Sequence, residues 1–525
     1  MDINATRSLA GRRFAAEHLW YAFGIGLLGF NLFRHRDFFD DDAFIELRYA
    51  RNLIDLHQPV WNPGEWVEGF TSPLHLLLVS AAGSLGVPLE VAAHIVNFSA
   101  LLLLLTGIVF MAKCIAPDDA FQRATAFLIV TCSAPVAIWT WGGLEPVLAA
   151  AFVTWAFAFV VMSLPRADRG PSSRHLLTAG VFYGLALLTR PDTIVLAGGC
   201  AVGLMFCMPA CTWRVRLRSL VDLFAPILIT QAALLLVRWI LYHDTAPNTY
   251  YAKVYGVSLL HRLDTGAYYL LRSAPDMLAL PVIAMIVVCD PRVVRSPVAK
   301  LAVSSTVAFV TAVCAVGGDH MGSARFLIPG LPMVAVLVMV LLRETAGRRL
   351  VSTLLGAGIV LSLASPLVRP SQPIDPAAWS GLLVGSYIDQ HWPAQSVVAL
   401  NTAGSTPYVA SKLRYVDMLG LNDKHIARRP GTAFVGMSAV QGHNKGDGAY
   451  VLSRRPDFII LGFAEGQTPA QTTFEGDLQL AALPEFQRCY RLERVPLGYP
   501  ESYVRAEFVK PNPLPFTYYR RVCRD

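Results

Sequence analysis

SPLHLLLVSAAGSLG, residues 72–86, is the stretch on which the threading of the whole chain turns. It is apolar enough to enter a membrane, but it is only fifteen residues long and is split by small residues. A helix that crosses a bilayer needs about 20 mostly apolar residues, with ~17 as the lower limit. The run therefore reads as a helix lying in, or dipping into, the outer leaflet. Counting it as a span would move every later loop to the opposite side of the membrane.

Around it, eleven runs read as spans: residues 17–34, 89–112, 124–141, 146–164, 175–189, 193–210, 220–241, 276–290, 299–316, 326–342 and 350–367. The two that meet near residues 189–192 are short enough to be half-spans. Lys and Arg in short loops mark the cytoplasmic side. Arg7, Arg12 and Arg13 precede the first run, which puts the N-terminus inside. With eleven spans, the clusters Lys113/Arg123, Arg166/Arg169/Arg174, Arg214/Arg216/Arg218, Arg292/Arg295 and Arg343/Arg348/Arg349 all fall inside as well. The C-terminus then lies outside.

Composition agrees with this reading. The chain has 525 residues, 54% hydrophobic and only 15% charged, against about 25% charged in soluble domains. The net charge of +7 is spread in short clusters between apolar runs, which excludes a nucleic-acid surface. The first apolar run lacks a small-x-small cleavage site and is followed by acid, so it reads as a span and not as a signal peptide. Of nine cysteines, seven lie in or beside apolar runs and read as small buried hydrophobes. Cys489 and Cys523 lie in the tail, which this topology places in an oxidising compartment, and they are expected to pair.

The expected architecture is a polytopic α-helical membrane module over residues 1–367 and a soluble α/β domain over 368–525. The module carries a first outer loop at 35–72 and the embedded helix 72–86. A second outer stretch runs over 242–276. The tail alternates strand-like runs (396–400, 457–461) with helical stretches and is long enough for its own core.

The first outer loop concentrates the polar chemistry. It reads DFFDDDAFIELRYARNLIDLHQPVWNPGEWVEGFTSP and contains three consecutive carboxylates, Asp40, Asp41 and Asp42. One Asp before a helix is explained as an N-cap. Three adjacent carboxylates are costly without compensation, so a cap does not account for all of them. Such an Asp can take a proton from a hydroxyl as a general base, or hold a divalent cation against a phosphate. Arg48 on the following helix either pairs with an acid or meets a phosphate. Further along the loop Glu65 and Glu68 flank Trp66, and Glu145, Arg190, Tyr250, Lys253, Asp319, His320 and Arg325 sit beside or inside apolar segments at outer helix ends. Ionisable groups at that depth are costly, and they serve either as mutual structural pairs (Arg190 with Asp192, Asp319 with Arg325) or as a substrate cavity.

These residues carry a family resemblance. DDAFIELRYARN and VWNPGEWVEGFTSP in residues 41–73, GGLE at 142–145, LTRPD at 188–192, PNTYYAKV at 247–254 and GGDHMGSARFLIP at 317–329 resemble the GT-C glycosyltransferases. VDMLGLNDKHIAR at 416–428 and GHNKGDGAYVLSRRPD at 442–457 extend the likeness into the tail. The branch most similar is that of the terminal arabinofuranosyltransferases of mycobacteria and related pilin or surface-glycan transferases. The resemblance implies transfer of a sugar, arabinofuranose by nearest branch, from a polyprenyl-phosphate donor to a glycan or glycoprotein acceptor. It implies a bacterial inner-membrane location with the tail in the periplasm. It carries the catalytic base to Asp41 or Asp42, with Asp40 as an extra acid. Arg48, Arg190, Lys253 and Arg325 become the expected phosphate contacts, and Asp423, His425 and His443 the expected acceptor contacts. No cofactor is required, and a divalent cation stays open. The alternative is a transporter or flippase of lipid-linked sugars; the chain shows no internal repeat of the kind such proteins carry.

Overall fold

The computed structural model describes residues 3–165, 170–277, 295–343, 375–431, 440, 442–500 and 510–523, with scattered helical residues between 349 and 360; side chains are described from Glu17 onward. Among the described residues twelve helices come first in order: α1 Ile3–Arg34, α2 Asp41–Leu56, α3 Pro73–Ser84, α4 Leu89–Ile115, α5 Ala120–Thr131, α6 Ala134–Trp141, α7 Pro146–Ser163, α8 Ser173–Thr189, α9 Ile194–Phe206, α10 Trp213–Tyr242, α11 Asn248–Lys253 and α12 Leu259–Ser273. The helix Pro297–Val316, a 3-10 turn at Arg325–Gly330 and the helix Leu331–Leu341 follow.

Among the described residues four helices are long and apolar enough to cross a membrane: α4, α7, α10 and Pro297–Val316. The bent pair α5 and α6, which meet at 47°, makes a fifth if it is one span. This is fewer than the eleven runs expected. α9 and Leu331–Leu341 begin at Pro-containing 3-10 turns that shorten the straight helix. The runs expected at 276–290 and 350–367 lie almost wholly outside the described residues. α3 is a separate short helix with Leu77, Leu78 and Leu85 exposed. Close helix contact is secured by small residues: a Cβ at Gly180 in α8 would sit 2.3 Å from the Leu223 carbonyl oxygen of α10.

The first loop folds as a helix because Asp40 caps it. Its carboxylate accepts the Asp42 backbone N–H at 3.0 Å, and His57 ends α2 in a left-handed conformation. Among the described residues the tail forms a five-stranded sheet, β1 Val397–Leu400, β2 Arg414–Asp417, β3 Phe458–Ile459, β4 Tyr490–Leu497 and β5 Leu514–Arg521, in the order β2-β1-β3-β5-β4. β1 runs parallel to β2 and β3, and β5 runs antiparallel to β3 and β4. Cys489 and Cys523 are joined as a disulfide, with Cα atoms 4.9 Å apart.

The loop and the tail share one core. Phe44, Leu47, Tyr49 and Trp61 pack in the same cluster as Trp379, Val398, Tyr415 and Phe516. Each large side chain buried there contributes roughly 1.5–3 kcal/mol. α2 is therefore fixed between the membrane helices and the sheet, and its N-terminal carboxylates stand at the seam.

Candidate active site

Two cavities meet at the N-terminus of α2. The first, of about 600 Å³, lies between α2 and the C-terminal ends of the strands; Asp40, Asp41, Asp42, Asp375, Asn401 and His443 line it. The second, of about 430 Å³, opens among the membrane helices; Glu145, Arg190, Arg238, Tyr250 and Arg325 line it. Asp42 and Lys253 line both, with 4.0 Å between the Lys253 ammonium and the Asp42 carboxylate.

The three adjacent acids have different surroundings. The Asp41 carboxylate accepts from the Ser405 backbone N–H at 2.8 Å and from its hydroxyl at 2.6 Å. Burial first, then the nearby Asp375 carboxylate, pushes its pKa up to about 7 against the pull of Ser405. Asp40 is raised too, by burial and by Asp375 and Asp42. Asp375 itself accepts the Asp41 backbone N–H at 2.7 Å, and burial raises it. Asp42 is the most exposed of the three, on the face of α2 where the cavities join.

Most cations of the second cavity already hold carboxylates. Arg190 gives Nη1 to Glu145 and its other edge to Asp192, all near 2.9–3.0 Å. Arg238 grips Glu68 with two donors. Arg325 commits its Nε–H to Asp319 at 2.8 Å. Burial would raise Asp319, but Arg325, His320 and Lys253 together hold it at about 2. Lys253 and the terminal groups of Arg325 are the donors best able to meet an incoming anion. The second cavity is lined by four basic and four acidic side chains, so a phosphate there needs these directed donors and not a general positive field.

Several expected site residues stand elsewhere. Arg48 lines neither cavity. It is buried and donates to the backbone carbonyls of Trp61, Pro407 and Leu413, between the rings of Trp61 and Tyr415. Its fork braces the loop against the tail in place of meeting a phosphate. Glu68 is matched to Arg238 and lies behind the cavity wall. Asp423 caps the helix Lys424–Ala427 and accepts the Tyr450 hydroxyl. His425 stacks on Tyr450 and meets Asp447 at 2.9 Å. Neither Asp423 nor His425 lines the first cavity: the Asp423 carboxylate is buried on its own helix cap and Tyr450, and His425 is engaged by Tyr450 and Asp447; of the three expected acceptor contacts only His443 lines it. His443 packs edge-on against His320, with ring centroids 5.0 Å apart.

Asp375, Ser405, Asn401 and Arg238 were not foreseen. Asp375-Pro376 carries a legible helix start, an N-cap before Pro at the first position. Nothing local ties it to Asp41, 334 residues away in sequence. Among the described residues no three His, Cys, Asp or Glu side chains converge as a metal ion would require.

The architecture around these cavities is a known one. The fold is that of ArnT from Cupriavidus metallidurans in the apo state, with a TM-score of 0.52 at 14% identity over 78% of this chain and 87% of that one. The Archaeoglobus fulgidus oligosaccharyltransferase tethered with an acceptor peptide shares it, with a TM-score of 0.51 at 11% identity over 92% of this chain and 80% of that one. The chain thus shares the helical fold of these two proteins, with several helices long and apolar enough to cross a membrane and a C-terminal sheet domain. At the sequence level it is 31% identical over 186 residues to the terminal beta-(1->2)-arabinofuranosyltransferase of Mycobacterium tuberculosis (strain ATCC 25618 / H37Rv), and the motif resemblance stands. That match spans 34% of this chain and 29% of the relative, so the chain covers under a third of the relative's length. A family model described as a domain of unknown function (DUF8728) matches residues 375–509.

Proposed function

We propose that the chain is a membrane glycosyltransferase that moves a sugar, arabinofuranose, from a polyprenyl-phosphate donor to a glycan or glycoprotein acceptor. The observation that carries this reading is the Asp42–Lys253 pair at the junction of the two cavities. A transferase needs two substrates to meet at one point, with a base on one side and an anion-binding group on the other. The donor's lipid lies among the membrane helices, and its phosphate reaches Lys253 and Arg325. The acceptor hydroxyl enters from the first cavity beside Asp42. Its oxygen attacks the anomeric carbon, its proton goes to the Asp42 carboxylate, and the bond to phosphate breaks with the electron pair leaving on the phosphate. Fixed cations at that leaving group stabilise charge that develops only in the transition state. Asp41, held by Ser405, orients the helix end that presents Asp42. The protein sits in the bacterial inner membrane with the sheet domain on the periplasmic side.

The test uses the full chain in proteoliposomes with a polyprenyl-phosphate arabinofuranose donor and a panel of other lipid-linked sugars. Release of polyprenyl phosphate and glycosylated acceptor are measured together. Asp42→Asn is expected to lower the transfer rate by ~10²–10⁴ while the protein still inserts. A protein that relocates the donor across the bilayer without cleaving it is a flippase, and that outcome sinks the reading.

A further inference from the structure

Lys445 is among the largest fully buried side chains of the protein, only 1% exposed. An ammonium has three donors and no acceptor, and here all three are used on backbone carbonyls. They go to Tyr251 at 2.5 Å, Ala427 at 2.6 Å and Tyr255 at 2.9 Å. Among the described residues no carboxylate forms an ion pair with it, although a buried charge without a counter-ion is costly. Two of the three carbonyls flank Lys253 at the end of α11; the third ends the helix Lys424–Ala427 in the sheet domain. Burial brings the ammonium down to about 8, so it remains protonated at neutral pH.

The turn that carries Lys445 also touches Lys253 directly. Gly442 has φ +82, and a Cβ there would lie 3.2 Å from Lys253 Cγ and 3.4 Å from Cε. The glycine lets the loop lie along the lysine stem. His443, between the two, lines the first cavity and packs on His320. One short loop of the sheet domain thus reaches the acceptor side through His443 and the donor side through Lys253.

We infer that Lys445 is a positioning residue: by clamping the carbonyls on either side of Lys253, it sets that ammonium at the junction of the two cavities. The inference deepens the proposed function and rests on it for the identity of the bound anion. Lys445 touches no substrate; it acts through Lys253.

The experiment is a double-mutant cycle in the full-length protein, with undecaprenyl phosphate as the probe. Lys445→Met and Lys253→Met are each expected to weaken its binding about tenfold, and the double variant no further. Lys445→Arg, which keeps the charge and the donors, is expected to restore most of the affinity; Lys445→Gln serves if the Met variant fails to fold. A second readout follows the rate at which a small amine-directed reagent labels Lys253, read by peptide mass spectrometry. It is expected to change severalfold in Lys445→Met and Lys445→Gln. Wild-type probe affinity in Lys445→Met, or equal further weakening on the Lys253→Met background, overturns the inference. If Lys253→Met itself binds the probe like wild type, the donor-phosphate reading is what fails. The labelling rate then decides the clamp by itself: a change supports it, and an unchanged rate overturns it.

Discussion

The Asp41 environment makes a quantitative prediction about pH. Asp41 ends at about 7 in the folded protein from an ordinary 3.8, chiefly because burial disfavours the anion and Asp375 repels it. Folded protein therefore holds a proton that unfolded chain has already released between about pH 4 and pH 7. The stability this contributes is full below about pH 4 and is lost as pH rises through 7. The difference corresponds to about 4 kcal/mol, and roughly 2–3 kcal/mol of it falls between pH 5 and 7. Asp417 and Asp477, each raised to about 6 by burial, add to the same slope. The assay is apparent melting temperature, or half-life at fixed temperature, of the detergent-solubilised full chain from pH 5 to 8. Wild type is expected to lose stability across this range. Asp41→Asn keeps acceptor capacity for Ser405 but cannot ionise, so its curve should be visibly flatter. An identical slope in the variant, or a wild type that gains stability toward pH 8, refutes the reasoning.

Arg48→Met should lower stability by about 3 kcal/mol or more, since it strands three backbone carbonyls that Arg48 now satisfies. The donor KM of the surviving folded fraction should stay at the wild-type value, and a rise there would restore Arg48 to the phosphate site. Reducing the Cys489–Cys523 bridge, or Cys489→Ser with Cys523→Ser, should cost about 3–4 kcal/mol in the chain-entropy model for a separation of 34 residues. Chemical denaturation with and without reductant reads this, and superimposable curves would count against it. Reporter fusions after Arg169 and Arg428 should give cytoplasmic and periplasmic signals, and a cytoplasmic signal after Arg428 would invert the proposed threading.

Part of this protein is legible in one dimension. Apolar length is a local property, so α4, α7, α10 and Pro297–Val316 stand out from composition. The start of α2 is equally local: an Asp before a helix meets free N–H groups whatever lies beyond. The short run after it is too brief to cross, and it folds as the separate helix α3. Asp40, Asp41 and Asp42, with Lys253 and Arg325, are marked by the oddity of charge beside apolar sequence, and the fold brings them to the two cavities.

What each charge does was decided only by tertiary structure. Arg48 carries the same guanidinium as Arg325. One is closed off by carbonyls 359 and 365 residues away in sequence, and the other borders a cavity. Asp423 and His443 looked alike as polar tail residues, yet one caps a helix and the other lines the first cavity. Three adjacent aspartates are indistinguishable in sequence; Ser405 and Asp375 engage Asp41, while Asp42 remains at the junction. Lys445 carries no local sign of its clamp, because its carbonyl partners lie 18 to 194 residues away. Sequence fixes which groups can ionise and how far a helix runs. The partner that neutralises, caps or exposes each group arrives through space, and it decides whether that group is structure or chemistry.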